Sequence, residues 1–257
     1  MSRIAQAFSG KKAFIGFVTA GDPSLEATVS YVLEMERAGA DLIEIGIPFS
    51  DPTAEGIVIQ EANIRALDKG MTTEGVFEIV RRVREKSEIP LVFLTYANPV
   101  FHYGYEAFFQ KCEKVRVDGI ILPDMPYEEK EELEEIATKH GVDVISLIAP
   151  TSKERIQMIA REAKGFLYVV SSMGVTGVRS EITTDLEAMI GAIREVTDLP
   201  CAIGFGINTT EQASKMAKLS DGVIVGSAIV RMIAQHGEDA KEALFRYVSD
   251  MKQAILL

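Results

Sequence analysis

Short, nearly uninterrupted apolar runs alternate along this chain with longer stretches in which apolar residues recur every three or four positions. The runs lie at 13–19, 41–46, 90–96, 119–123, 143–149, 166–171, 200–205 and 222–226. Continuous apolar runs, rather than alternating ones, mark parallel strands covered on both faces. Between them, residues 24–38 place Leu25, Val29, Val32 and Leu33 on one helical face. The stretches 74–86, 105–116, 127–140, 152–163, 184–196, 209–219 and 238–255 have the same period. Asp22-Pro23 reads as a helix N-cap followed by proline at the first helical position. Gly39, Gly70, Gly141 and Gly165 fall where helices should end. A weak repeat supports the same units: GADLIEIG, VDGIILPD, GVDVISLI and SDGVIVGS each open a strand after a short Gly/Asp turn. Eight strand–helix units joined by right-handed crossovers predict an α/β fold, a (β/α)8 TIM barrel spanning residues 1–257 as a single domain. An open doubly wound sheet is the structural alternative. Ser2 to Phe8 are expected to form a short helix capping the barrel floor.

Composition narrows the class. A chain of 257 residues, 47% hydrophobic and 25% charged, fits one globular barrel with a large core. Cys112 and Cys201 have no CxxC or Cys/His neighbour and read as buried inert thiols, which fits a reducing compartment. No signal peptide is expected at the N-terminus, and the apolar runs are too short and interrupted for a membrane span. The expected location is the cytoplasm, or the plastid stroma if the source is a plant or alga. A net charge of −11 without a basic cluster argues against nucleic acid. It also means that any phosphate must be held locally, against the overall field.

In a barrel the chemistry sits at the C-terminal ends of the strands. Gly204-Phe205-Gly206-Ile207-Asn208 follows the seventh predicted strand and Gly226-Ser227-Ala228-Ile229-Val230 the eighth. Glycines admit backbone N–H groups close to an anion, and a short helix beginning at Ser227 would aim its positive end there. Both could also be plain tight turns. The loop from Ser171 to Ser180 has small residues and two glycines around Thr176. It reads as a lid over the site, or as an ordinary surface loop. Glu44 stands inside the apolar second strand. Pointed into the barrel, its desolvated carboxyl should titrate near neutrality and suit proton transfer; a structural ion pair is the alternative. Asp51 and Glu55 follow in the next loop, where Asp51-Pro52 is equally readable as a turn or cap. His102, His140 and His236 have no ligand spacing, so surface positions and no metal are expected. The run from Glu128 to Glu132 reads as a solvated face near a helix start.

The segments GFVTAGDP (16–23), IEIGIPFSDPTAEG (43–56), LTYANPVFHYG (94–104), PDMP (123–126), GVTGVRS (174–180), GFGI (204–207) and GVIVGSAIV (222–230) run through the whole chain. In this order they resemble the α subunit of tryptophan synthase. The resemblance implies a TIM-barrel lyase in tryptophan biosynthesis. It would cleave indole-3-glycerol phosphate by a retro-aldol reaction to indole and glyceraldehyde 3-phosphate, without metal or organic cofactor. Glu44 matches the catalytic glutamate, and Glu55 occupies the position of the aspartate that binds the indole N–H. Gly177, Gly206, Gly226 and Ser227 match the phosphate loops and Thr176 the lid threonine. Phe17, Leu94, Tyr96, Tyr168 and Phe205 match the pocket for the indole and glycerol parts. Asp51, Pro52, Asn98 and Pro126 match the surface that meets a β subunit in an α2β2 complex. Pyridoxal phosphate is expected only in that partner, which receives the indole. The reaction needs these residue types on chemical grounds as well. Protonating C3 makes the ring an iminium-like electron sink, and a carboxylate near N1 offsets the positive charge.

One loop departs from the family pattern PFSDPxADGP, since Glu55 replaces aspartate and Ile57 replaces the final proline. An added methylene moves a carboxylate by roughly 1 Å, and misplacement on that scale costs on the order of 10²-fold in rate. Without the proline, φ is no longer fixed there. A weak or silent lyase that mainly binds and activates a β subunit is therefore a second hypothesis. A sugar-phosphate isomerase or epimerase fits the glycine loops but not the PFSDP segment.

Overall fold

A computed structural model describes residues 1–171, 185–204 and 206–256. Among these described residues, nine strands form one parallel sheet: β1 (Ala13–Thr19), β2 (Leu42–Gly46), β3 (Leu91–Leu94), β4 (Gly119–Ile121), β5 (Asp143–Val144), β6 (Ser146–Ile148), β7 (Leu167–Val170), β8 (Cys201–Gly204) and β9 (Gly222–Val225). Their order is β5-β4-β3-β2-β1-β9-β8-β7-β6. The two ends of that order, β5 and β6, are halves of the single apolar run predicted at 143–149. β5 pairs with β4 and β6 pairs with β7, so one chain segment brings the two edges together in a nearly closed barrel. The open sheet is thereby excluded. Ile145, between the halves, still donates its N–H to Ile120 O at 2.8 Å and buries its side chain inside the barrel.

Every residue of β1, β2, β7, β8 and β9 is buried, which is why these strands read as continuous apolar runs. Side chains alternate between two destinations. Ile15, Leu42, Val92, Ile121, Tyr168, Ala202 and Ile224 fill the barrel. Phe14, Ile43, Ile45, Phe93, Val169, Ile203 and Val223 face the helices. The floor is closed by the helix Arg3–Ala7, as expected. Ser2 Oγ caps it by accepting from Ala5 N at 3.1 Å, and the Phe8 ring packs on Phe166 with centroids 5.6 Å apart.

The structure corrects the helix pattern in four places. The second helix begins at Leu25, and its cap is Ser24, whose Oγ accepts from Ala27 N at 3.2 Å. Asp22 is instead buried and accepts from both Arg65 Nε (2.9 Å) and Arg65 Nη2 (2.7 Å), because a buried carboxylate needs a charged partner more than the helix needs a second cap. Helices Ile57–Asp68 and Ala97–Tyr103 fill loops that sequence periodicity left open. The predicted 127–140 helix is a 3-10 turn, Tyr127–Glu129, followed by a helix at Glu131–Lys139. Gly39, Gly70 and Gly141 do sit one residue beyond helix caps with positive φ (107°, 80° and 69°), a conformation that favours glycine. Cys112 and Cys201 are buried and unpaired. His102 and His236 are exposed, and His140 lies between Glu113 and Glu106. Among the described residues, no helix is long and apolar enough to cross a membrane.

Candidate active site

At the C-terminal end of the barrel, one cavity of about 720 Å³, counted to its open mouth, is lined by Glu44, Glu55, Phe17, Leu94, Tyr96, Tyr168, Gly206, Gly226 and Ser227. Pro123, Leu147, Ile207 and Ile224 complete much of its apolar wall. A concave, mostly apolar site with a few convergent polar groups is the usual form of a small-molecule pocket. Thr176, Gly177 and Phe205, the other substrate-contact residues expected from the motifs, lie outside the described residues.

Strand alternation places Glu44. Ile43 and Ile45 pack outward against the helices, so the residue between them must point inward. Glu44 is 1% exposed, and its Oε1 has no hydrogen-bond partner among the described residues. Burial alone pushes it up to about 8, so the neutral, proton-carrying form prevails at pH 7. Among the described residues no cation pairs with it, which speaks against the structural ion-pair alternative. The same burial, together with the Glu44 charge, raises the Tyr168 hydroxyl.

Glu55 arrives from the loop after β2. That loop is fastened to the end of β3: the Phe49 and Tyr96 rings lie 5.4 Å apart, and Ala54 N donates to the Tyr96 hydroxyl at 3.1 Å. Tyr96 in turn donates to the Glu55 carboxylate, and Asn63 Nδ2 donates to Glu55 Oε2 at 2.6 Å. Burial pushes Glu55 up to about 7, while the bonds from Asn63 and Tyr96 pull the other way. The two carboxyls are therefore unlike: Glu44 has no donor on Oε1 among the described residues, whereas Glu55 has donors that favour its charged form.

Two glycines let aromatic rings form the walls. A Cβ on Gly46 would lie 2.6 Å from Phe17 Cζ, and one on Gly204 would lie 2.6 Å from the Tyr168 hydroxyl. The far end of the cavity is built from backbone. Gly206 has φ 82°, and the helix Ser227–His236 starts at the rim without a side-chain cap. Its first-turn N–H groups and positive dipole end suit an anion. No Lys, Arg or His lies among the described lining residues. Nor do three His, Cys, Asp or Glu side chains gather anywhere among the described residues in an arrangement that could hold a metal.

Asp51, Asn98 and Pro126 are exposed and Pro52 is half-buried. They follow β2, β3 and β4, on the same end of the barrel as the cavity. Asp124 ties two of these loops together by accepting from Ala97 N at 3.0 Å. Asn63 bonds to Glu55 from a helix that apolar periodicity does not predict, and Phe101, within the motif LTYANPVFHYG, presents a 71%-exposed ring.

A profile of the family described as "Tryptophan synthase alpha chain" matches residues 4–255. The chain belongs to this family. The tryptophan synthase alpha chain of Lactiplantibacillus plantarum is 53% identical over 256 residues, covering 99% of this chain and 97% of its own length. That of Lacticaseibacillus casei is 48% identical over 255 residues, covering 99% and 96%. Among solved structures, the tryptophan synthase alpha chain of Legionella pneumophila gives a TM-score of 0.89 at 38% identity over 99% of this chain and 97% of that one. A chain from a structure of the tryptophan synthase α2β2 complex of Pyrococcus furiosus gives 0.85 at 34% identity over 94% and 98%. The tryptophan synthase alpha chain is the lyase that cleaves indole-3-glycerol phosphate, so the enzyme class and the barrel expected from the motifs both stand.

Proposed function

We propose that Glu44 and Glu55 carry this lyase reaction as a pair of unlike carboxyls. The supporting observation is that they share one cavity, Glu44 without a donor on Oε1 among the described residues and Glu55 bonded by Asn63 and Tyr96. Protonated Glu44 delivers its proton to indole C3, which makes the ring an iminium-like electron sink. The ionised Glu55 carboxylate accepts the indole N–H and offsets the positive charge. Glu44, now a carboxylate, removes the proton from the glycerol hydroxyl next to the ring. The C–C bond breaks, its electron pair returns to the indole, and the aldehyde product leaves. Protons and electrons balance within the cycle, so the step calls for no electron or group carrier.

Phe17, Leu94, Tyr96 and Tyr168 hold the indole and glycerol portions, joined by Phe205 on the strength of the motif resemblance. Gly206, Gly226 and Ser227 offer N–H groups to the phosphate, with Gly177 adding another and Thr176 closing the lid. The partner is a tryptophan synthase β subunit, in an α2β2 complex that also holds the pyridoxal phosphate. Asp51, Pro52, Asn98 and Pro126 face it, with Phe101 beside Asn98 on the same short helix. The barrel acts as one domain over residues 1–257, and the two buried free thiols suit the cytoplasm. No observation favours a silent subunit, because Glu55 reaches the cavity wall despite its extra methylene. Incubation with indole-3-glycerol phosphate, alone and with a β subunit, should release indole. No indole under either condition would overturn the proposal.

A further inference from the structure

The helix Ile57–Asp68 buries Ile59, Ala62, Asn63 and Ala66. Three of these are the apolar residues that such a face calls for. The fourth, Asn63, is an amide only 3% exposed. A buried amide costs stability unless it is bonded, and asparagine is a poor helix former. Its bond runs to Glu55 Oε2 at 2.6 Å, eight residues back across the turn into the helix. Two further contacts converge on Glu55. Gln60 Nε2 donates to its backbone carbonyl at 2.7 Å, and the Tyr96 hydroxyl bridges Ala54 N and the Glu55 carboxylate. The helix thus holds the Glu55 backbone and one carboxylate oxygen, while the end of β3 holds the loop and the carboxylate together.

A glutamate has one more rotatable bond than an aspartate, and a carboxylate offers about four acceptor positions. Asn63 and Tyr96 occupy two of them and leave others toward the cavity. We propose that Asn63, together with Tyr96, is a positioning residue that fixes where the Glu55 carboxylate meets the indole N–H. The inference rests on the reading of Glu55 as the carboxylate that faces the ring. Asn63 itself is not among the residues that line the cavity. It makes the longer side chain behave as a fixed group, since a charge-assisted bond between buried groups is short and directional.

The full chain carrying Asn63→Leu, similar in shape but without the donor, tests this. Its kcat for indole-3-glycerol phosphate should fall about 10- to 100-fold, the cost of a displacement near 1 Å. Binding of inorganic phosphate, which reports the far end of the cavity, should change less than about twofold, because such effects stay local. The complementary length swap is the sharper test. Glu55→Asp alone should lose activity by withdrawing the carboxylate from Asn63. Adding Asn63→Gln returns the lost methylene from the other side and should recover at least about tenfold. Unchanged kcat in Asn63→Leu, an equal loss of phosphate binding, or a double variant no better than Glu55→Asp would each overturn the positioning role. Glu55→Gln separates the two levels. If it stays fully active, the assignment of Glu55 fails and the clamp with it. If Glu55→Gln is inactive while Asn63→Leu is active, only the clamp fails.

Discussion

The Phe17 ring lies so close over Gly46 that a Cβ there would come within 2.6 Å of Phe17 Cζ. The two residues sit on neighbouring strands, and Phe17 is directly opposite Glu44 in the β1–β2 register. The wall of the cavity and the placement of Glu44 are therefore one packing problem. Gly46→Ala should push the ring into the space meant for substrate. The expected result is a loss of kcat/KM of at least about tenfold with a stability cost of about 1–3 kcal/mol, as for other overpacked cores. Steady-state kinetics beside a urea melt would separate the two effects.

Activity should be confined to a narrow pH window. Glu55 must be ionised, so rate is lost as pH falls through about 7. Glu44 must be protonated, so rate is lost as pH rises through about 8. A bell-shaped kcat/KM profile with its maximum between these values is expected, its limbs belonging to the coupled pair. A flat profile from pH 6 to 9 would contradict this.

Glu44 is a cost to the fold. Its pKa in the folded chain is raised above the ordinary value of 4.5, so the native state binds more protons than the unfolded chain. The contribution of Glu44 to stability is therefore most favourable below about 4.5 and declines as pH rises toward 8. Glu44→Gln should abolish turnover yet stabilise the chain at pH 7 by about 3 kcal/mol. Thermal melts at pH 5 and 8 should show the variant's advantage growing with pH.

Phe101 presents a 71%-exposed ring beside Asn98. Phe101→Glu should leave the melting temperature and the intrinsic indole release of the isolated chain unchanged, while weakening association with a β subunit by about tenfold or more. Titration of the partner with the activity of the complex as readout would measure it.

The strands were legible because parallel strands buried on both faces have no polar alternation to obscure them. Glu44 was legible for the complementary reason: one charge in such a run has nowhere to go but the barrel interior. The helix Ile57–Asp68 was hidden by an inverted pattern. Ile57 and Ile64 face solvent, at 71% and 57% exposure, while Asn63 faces inward. Apolar periodicity cannot find a helix whose buried face carries an amide and whose exposed face carries isoleucines. Asn63 was unreadable as a site residue because its role depends on a turn that brings position 55 back against it. The break at Ile145 reflects barrel closure, which no local pattern encodes.

The far end of the cavity offers a helix N-terminus and, among its described lining residues, no cationic side chain, on a chain whose net charge is −11, so the proposed phosphate would be held by backbone N–H groups alone. Such a molecule repels its substrate at a distance and attracts it only at contact. Ionic strength then acts in the reverse of its usual direction on an anion site. Screening lowers the approach barrier more than it weakens the short-range bonds. Capture of the substrate should quicken, not slow, when salt rises from about 10 to 150 mM, across which the Debye length shrinks from about 30 to 8 Å.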